Sequence, residues 1–321
     1  MPLLRSLVIP LCLVSCAALA QQYPARPVRV LIPFTAGSAA DIIARAMEPA
    51  MRERLGQPLV IDNRGGAGGN IAAEMAAKAT PDGHTIMMAT IGTHAINYSL
   101  YSRLNFHPRR DFTPVGLVGE SPNALVVNPK VQAASIQELI ALAKSKPGGL
   151  NYGSSGSGTT VHLSAELFSV MTGIRMIHVP HKGAAEALAS LLGGQTDLMF
   201  ASLSSSIPLI KAGKLKAFAV TGAQRSPSIP ELPTVEEAAK LPGYAASAWF
   251  GIVGPAGMPN TVVAFLSKST RSALDEAEVK KRLFNAGVEI RTSTPDEFAR
   301  YIDSEMQKWA KVVKVSGAKV D

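Results

Sequence analysis

The sequence has almost no cysteine. Its only two, Cys12 and Cys16, stand near the start, ahead of any folded pattern. A chain that loses this stretch has no disulfide, no thiolate nucleophile and no cysteine-based metal site, so its stability must come from its core. Aromatic residues make up 6% and charged residues 17%. The net charge of +8 is dispersed, with local pairs or runs at Arg109-Arg110 and Lys280-Lys-Arg282 but no basic stripe interleaved with aromatics. That pattern argues against nucleic acid. A mildly basic surface suits diffusional capture of small anions. Several enzyme signatures are missing. Gly153-Ser-Ser-Gly-Ser-Gly158 is not a nucleophile elbow. Gly156-Ser-Gly158 and Gly66-Ala-Gly68 lack the third glycine of a dinucleotide fingerprint, since Val161 and Ile71 occupy those places. No phosphate-binding Gly-x-x-x-x-Gly-Lys and no His-Glu-x-x-His occurs. The six histidines are scattered. His178 and His181 straddle Pro180 and make poor co-ligands, so no metal and no cofactor is expected.

No apolar run is long enough to span a bilayer. Leu7 to Ala20 is apolar, follows the single charge of Arg5 and ends in Ala18-Leu-Ala20 before Gln21. This is the form of an export signal cleaved after Ala20. Removing Arg5 with it takes the net charge from +8 to +7. Leu13-Val-Ser-Cys16 has the form of a lipoprotein cleavage box, but so short a tether from Cys16 to the first strand favours the cleaved, unanchored reading.

The remaining chain is 47% hydrophobic, enough for a substantial core. Val28 to Ile32 reads as a strand ended by Pro33, which has no N–H for a ladder. Thr35-Ala-Gly-Ser-Ala-Ala40 follows as a loop of small residues. Ser38 caps a helix over 38–55, with Asp41 three residues on in a capping-box position. The first amides of a helix have no internal partner and lie at the positive end of its dipole. Strand, small loop and helix start therefore form a pocket for an anion. Asp41 reads as the loop's organiser, since a carboxylate would repel such a ligand. One turn of this kind is common in α/β proteins, and the case rests on a second. Tyr152 to Thr160 supplies it, with hydroxyls at Ser154, Ser155, Ser157, Thr159 and Thr160. His162 follows in the first turn of the next helix, where packing or hydrogen bonding inside the lobe accounts for it better than ligand contact does.

Strands over 59–62 and 85–90 also open into small-residue loops, the doubly wound pattern with ligands at the carboxyl ends of strands. Residues 94–122, with Pro108, Pro114 and Pro122, read as irregular. Further strands are expected at 123–127, 151–153, 174–179, 197–200, 215–220 and 249–253. Helices are expected at 136–145, 161–171, 183–192, 204–212, 260–274, 277–285 and 295–315. Proline-containing crossings near 122 and 242–246 divide this α/β chain into two blocks, with a cleft between them. The expected organisation is a signal peptide over 1–20, one lobe from 21–122 plus 246–321, and a second from 123–245.

Seven stretches carry a family likeness: Tyr23-Pro-x-Arg-Pro-Val-Arg29, Pro33-Phe-Thr-Ala-Gly-Ser-Ala-Ala-Asp41, Asp62-Asn-Arg-x-Gly-Ala-Gly-Gly-Asn70, Tyr152-Gly-Ser-Ser-Gly-Ser-Gly158 with His162-Leu, Val179-Pro-His-Lys-Gly183, Leu191-Leu-Gly-Gly-Gln195 with Asp197-x-Met-Phe200, and Arg225-Ser-Pro with Pro233-Thr. Each is weak alone; in this order they are specific. Over essentially the whole mature chain the sequence resembles the Bug-type periplasmic solute-binding proteins, receptors of tripartite tricarboxylate transporters. The resemblance implies a two-lobed Venus flytrap fold, each lobe a sheet flanked by helices, with two crossings between lobes. It implies a periplasmic monomer, without catalysis or cofactor, that takes a small organic carboxylate to membrane transporter subunits. It also implies that two loops grip one ligand carboxylate, partly through bridging waters. Those loops are Phe34, Thr35, Gly37, Ser38, Ala39 and Ala40 on one side, and Ser154, Ser155, Gly156, Ser157, Gly158, Thr159 and Thr160 on the other. Thr90, Thr93, Ala201 and Ser202 are candidates for choosing the rest of the ligand. Three positions depart from the family pattern. Ala36-Gly37-Ser38 replaces Pro-Gly-Gly, His181 replaces an aromatic, and Gly65 replaces a proline.

A binding receptor predicts closure on a ligand and no turnover. A secreted hydrolase or dehydrogenase would need a nucleophile–base pair or a cofactor fingerprint, and neither is found. A sensor module would use the same binding physics with a different partner. Dicarboxylates, tricarboxylates, acidic amino acids and aromatic acids remain open as ligands. The lack of arginine in either loop argues against a firmly fixed second carboxylate.

Overall fold

The computed structural model describes residues 23–181, 183–318 and 320. The export signal read at 1–20 lies outside them. The first half of the chain runs β1 (Val28–Ile32), α1 (Ala39–Leu55), β2 (Leu59–Asn63), α2 (Asn70–Ala77), β3 (Thr85–Thr90), a π turn (Gly92–Ile96), α3 (Asn97–Leu100) and β4 (Phe112–Ser121). The middle runs β5 (Asn123–Val127), α4 (Ile136–Ser145), β6 (Asn151–Ser154), α5 (Thr160–Thr172), β7 (Ile177–Pro180), α6 (Ala184–Gly193), β8 (Leu198–Ser202), α7 (Leu203–Lys211), β9 (Lys216–Val220) and α8 (Val235–Ala239). The chain closes with β10 (Ala248–Pro255), α9 (Asn260–Leu274), α10 (Ala277–Asn285), β11 (Glu289–Ile290) and α11 (Pro295–Ser316).

Two sheets result. One has the order β11-β4-β10-β3-β1-β2, the other β7-β6-β8-β5-β9. In each, three parallel strands are followed by an antiparallel strand that has just arrived from the other lobe. That strand is β10 in the first sheet and β5 in the second. The crossings run side by side. Pro122 alone separates β4 from β5, and on the return Ala248 pairs with Ser121. Thr221, just past β9, bridges the two: the Asn123 amide donates to Thr221 Oγ1 at 2.9 Å, the Thr221 amide to the Asn123 carbonyl at 2.8 Å, and the Ala246 amide to the Thr221 carbonyl at 2.9 Å.

The helices follow their apolar spacing. On α1 the buried face is Ile43, Met47, Ala50 and Met51, the i, i+4, i+7, i+8 pattern of one helix face. Each large side chain so buried contributes roughly 1.5–3 kcal/mol. Ser38 caps its start, and Gly56 ends it in a left-handed turn at φ +65°. On α11, Thr294 and Glu297 form a capping box with Pro295 at the first position. Glu305 of this helix is buried, and one carboxylate oxygen receives the indole N–H of both Trp249 and Trp309. That ties α11 to β10.

The segment read as irregular is corrected in part. Residues 112–121 form β4, a buried strand paired with β10. Pro114 is tolerated because a register shift places it opposite Val253 at a bulge. Val235–Ala239, for which no element was expected, is a short helix with its own capping box, Thr234 with Glu237.

Candidate functional site

The loop after β1 spends its polar groups on its own shape. The Ser38 amide donates to the Thr35 carbonyl at 3.2 Å. Asp41 receives the Gly37 amide at 2.9 Å and Arg45 Nε at 3.0 Å. Burial of this carboxyl works to raise its pKa, but the hydrogen bonds from Arg45, Gly37 and Asn63 outweigh it and hold it below the usual range. Asp41 is thus an ionised organiser of the loop. The amides of Ala39 and Ala40, in the first turn of α1, have no carbonyl within the helix to receive them.

The loop after β6 divides its groups in the same way. Ser154 is buried, with Oγ 2.6 Å from His178 Nε2. Thr159 Oγ1 caps α5 and donates to the Gly156 carbonyl at 2.7 Å. The Gly158 amide donates to His162 Nδ1 at 3.0 Å. The hydroxyls of Ser155, Ser157 and Thr160 make no side-chain hydrogen bond among the described residues.

These two loops face one cavity of about 520 Å³ between the lobes. Phe34, Ala39 and Ala40 line it from the first lobe; Ser155, Ser157, Gly158, Thr159 and Thr160 line it from the second. Thr90 lines its inner wall. The lobes nearly touch here: a Cβ placed on Gly158 would lie 2.7 Å from Leu100 Cδ2, across the cleft. Among the described residues no charged side chain lines the cavity. An anion held there meets amide dipoles and hydroxyls, which water can satisfy when the ligand leaves. By contrast, the outer hollow walled by Asn128, Lys130 and Leu142 belongs to the second lobe alone.

The profile of the family described as "Tripartite tricarboxylate transporter family receptor" (TctC) matches residues 43–318. The chain belongs to this receptor family. BugT of Bordetella pertussis is 34% identical over 302 residues, covering 94% of this chain and 92% of its own length. Among solved structures, R. palustris Rpa4515 with adipate is 38% identical with a TM-score of 0.76, covering 92% of this chain and 98% of that one. MatC from Rhodopseudomonas palustris with bound malate is 34% identical with a TM-score of 0.73, over 91% and 100% of the two chains. The two-lobed fold is that of these periplasmic binding proteins. Relatives of the receptor family are solute-binding proteins, and this chain is a receptor of that kind rather than an enzyme.

Several residues singled out in the sequence of this receptor do not line the cavity. Thr35, Gly37 and Ser38 shape the first loop, and Ser154 and Gly156 the second. Thr93 is buried with its hydroxyl among Thr90 and His94 Nδ1, the latter at 2.9 Å. Ala201 is fully buried, and Ser202, half-buried at the end of β8, has its Oγ 3.1 Å from Ser204 Oγ. Asn123 pairs with Ser202, and the Leu203 amide donates to the Pro122 carbonyl at 3.1 Å. In their place the cavity takes Gly68, Asn97, Leu100 and Tyr101 from the first lobe. Trp249 and Phe250 of β10 and Val320 beyond α11 complete it. Burial raises the Tyr101 pKa, so its hydroxyl stays protonated as a donor. The Asn97 amide nitrogen is already committed to Gly68 O at 3.0 Å and Asn70 Oδ1 at 2.7 Å. The glycine-rich turn before α2 hinted at this wall; nothing local pointed to Leu100, Trp249 or Val320.

Among the described residues no group of histidine, cysteine, aspartate or glutamate is placed to hold a metal ion, and no helix is long and apolar enough to cross a membrane.

Proposed function

We propose that this receptor works in the periplasm, closing its cleft on a small organic carboxylate and passing it to membrane subunits of a tripartite tricarboxylate-type transporter. One observation carries the reading. Two helix starts, one per lobe, face a single cavity with uncommitted first-turn amides and the free hydroxyls of Ser155, Ser157 and Thr160. The relatives captured with adipate and malate support the same ligand class. On this reading Ala39, Ala40, Ser155, Ser157 and Thr160 hold one carboxylate, with Phe34, Gly158 and Thr159 closing round it and Thr90 meeting the rest of the ligand. The remaining residues of both loops set the geometry. The lobes are 21–122 plus 246–321 and 123–245, and the mature monomer begins after Ala20, without a lipid on Cys16.

The test is a thermal-shift panel of dicarboxylates, tricarboxylates, acidic amino acids and aromatic acids on the mature protein. A true ligand at about 100 times its dissociation constant stabilises the folded state by roughly 2.7 kcal/mol. A broad panel in which no acid moves the melting point overturns the ligand class.

A further inference from the structure

Three rings stack behind the second loop. His162 and His178 lie 4.0 Å apart between ring centres and nearly parallel, and Tyr152 lies 5.0 Å from His178 and 6.2 Å from His162. The binding reading uses none of them. His162 is buried on α5, and its Nδ1 receives the Gly158 amide at 3.0 Å. A ring nitrogen accepts only while it carries no hydrogen. The neutral ring's hydrogen therefore sits on Nε2, which faces Glu166 Oε1 at 3.8 Å. Tyr152 donates its hydroxyl to that same oxygen. Gly158 itself is left-handed, at φ +77°, and stands between Ser157 and the cap Thr159.

We infer that His162 is the latch of the second jaw: its neutral ring, turned by Glu166, pins the Gly158 amide so that Ser155, Ser157 and Thr160 face the cavity, and a proton on Nδ1 releases the loop. Only the consequence for a ligand rests on the receptor reading above; the latch itself does not.

The groups around the ring fix the sense of the switch. Glu166 faces it from its own helix, Tyr152 from β6 and His178 from β7. His181, just past β7, stands beside His178 and has Glu186 at 3.7 Å from its Nδ1. Arg175 lines the same outer hollow as Glu166, without an ion pair between them. Burial first, then the neighbouring His178, pushes the His162 pKa down to about 4. Burial raises Glu166, against the pull of the Tyr152 hydroxyl. At neutral pH the latch is closed, and acid opens it.

The test needs no ligand. The mature protein with labelled histidine and backbone nitrogen is followed by NMR from neutral to acid pH. His162 should show a bare Nδ1 and a protonated Nε2, with the Gly158 amide slow to exchange. As pH falls through about 4, Nδ1 should gain its proton and Gly158 lose about tenfold or more of its protection, while amides in the middle of α5 stay protected. His162→Asn places an oxygen where Nδ1 stood. It should keep Gly158 protected and abolish the acid step; His162→Leu should leave Gly158 fast at every pH. Gly158 protection that is indifferent to the titration of His162, or that is lost in a folded His162→Asn, overturns the latch. Should the panel yield a ligand, the ratio of wild-type to His162→Asn affinity should fall about tenfold between neutral and acid pH, as the loop opens in one protein only. The ligand's own protonation cancels in that ratio. A panel with no hit leaves the exchange result standing.

Discussion

Gly158 is where the second loop meets the first lobe across the cleft, and a single methyl there should hold the jaws apart. Gly158→Ala acts twice. At φ +77° an L-residue costs about 1–2 kcal/mol, in the open and closed forms alike. The added Cβ also lies 2.7 Å from Leu100 Cδ2, well inside the ~3.5–4.0 Å of an ordinary carbon contact. Leu100 is buried against the lobe and lines the cavity, so its retreat takes space from the ligand. Overpacking of this kind costs about 1–3 kcal/mol. Because it is felt only when the lobes meet, it subtracts from binding. Affinity should fall by roughly 5- to 150-fold, at about 1.4 kcal/mol per decade. Gly158→Val should abolish binding while the protein still folds. Isothermal titration with the strongest acid from the panel reads affinity, and a thermal melt reads stability. The double variant with Leu100→Val separates the two causes. Shortening Leu100 removes the colliding carbon but not the backbone strain, so affinity should recover while the melting point does not. The reasoning fails if Gly158→Ala binds as wild type, or if Leu100→Val restores nothing.

Three further outcomes are expected. Glu305→Leu leaves the indole N–H groups of Trp249 and Trp309 buried without an acceptor; chemical denaturation should show a loss of about 2–5 kcal/mol, with Glu305→Gln losing less. Burial pushes His94 down to about 3. The unfolded chain takes up that proton first, so stability should be full above pH 6.5 and fall as pH drops toward 3; the depression corresponds to roughly 4–5 kcal/mol, and denaturation midpoints across the range should flatten in His94→Asn. Tyr152→Phe removes the hydroxyl that steadies Glu166 and should cost about 1–2 kcal/mol in the same assay, with the exchange rate of Gly158 raised.

How far the sequence could be read depended on whether the information was local. The helices at Ile136–Ser145, Asn260–Leu274 and Ala277–Asn285 have the bounds their apolar spacing predicts. The Ser38 cap was legible because a cap is a signal of three or four residues. Strand β4 was not, because Pro114 reads as a breaker until its partner strand supplies the bulge that spares it. Ala201 and Ser202 were candidates for choosing the rest of the ligand, but their residue types do not reveal that β5 pairs along this end of β8. Leu100, Trp249 and Val320 reach the cavity through packing of segments far apart in sequence, and Tyr101 meets Val320 only because α11 brings the tail back. His162 was noticed, but its role depends on the direction of one ring nitrogen, which no pattern of residue types encodes.

The paired strands through Ser121-Pro122-Asn123 and Ala246–Ala248 have a mechanical consequence. Two straps lying flush, each leading straight into a strand that is hydrogen-bonded along both edges, can flex about a common line but resist shear and rotation. The protein should therefore behave as a clamshell with a single freedom of movement. Whatever it catches, its rims come back to the same alignment, so selectivity must be written in what fills the space between them and not in how far the shell turns.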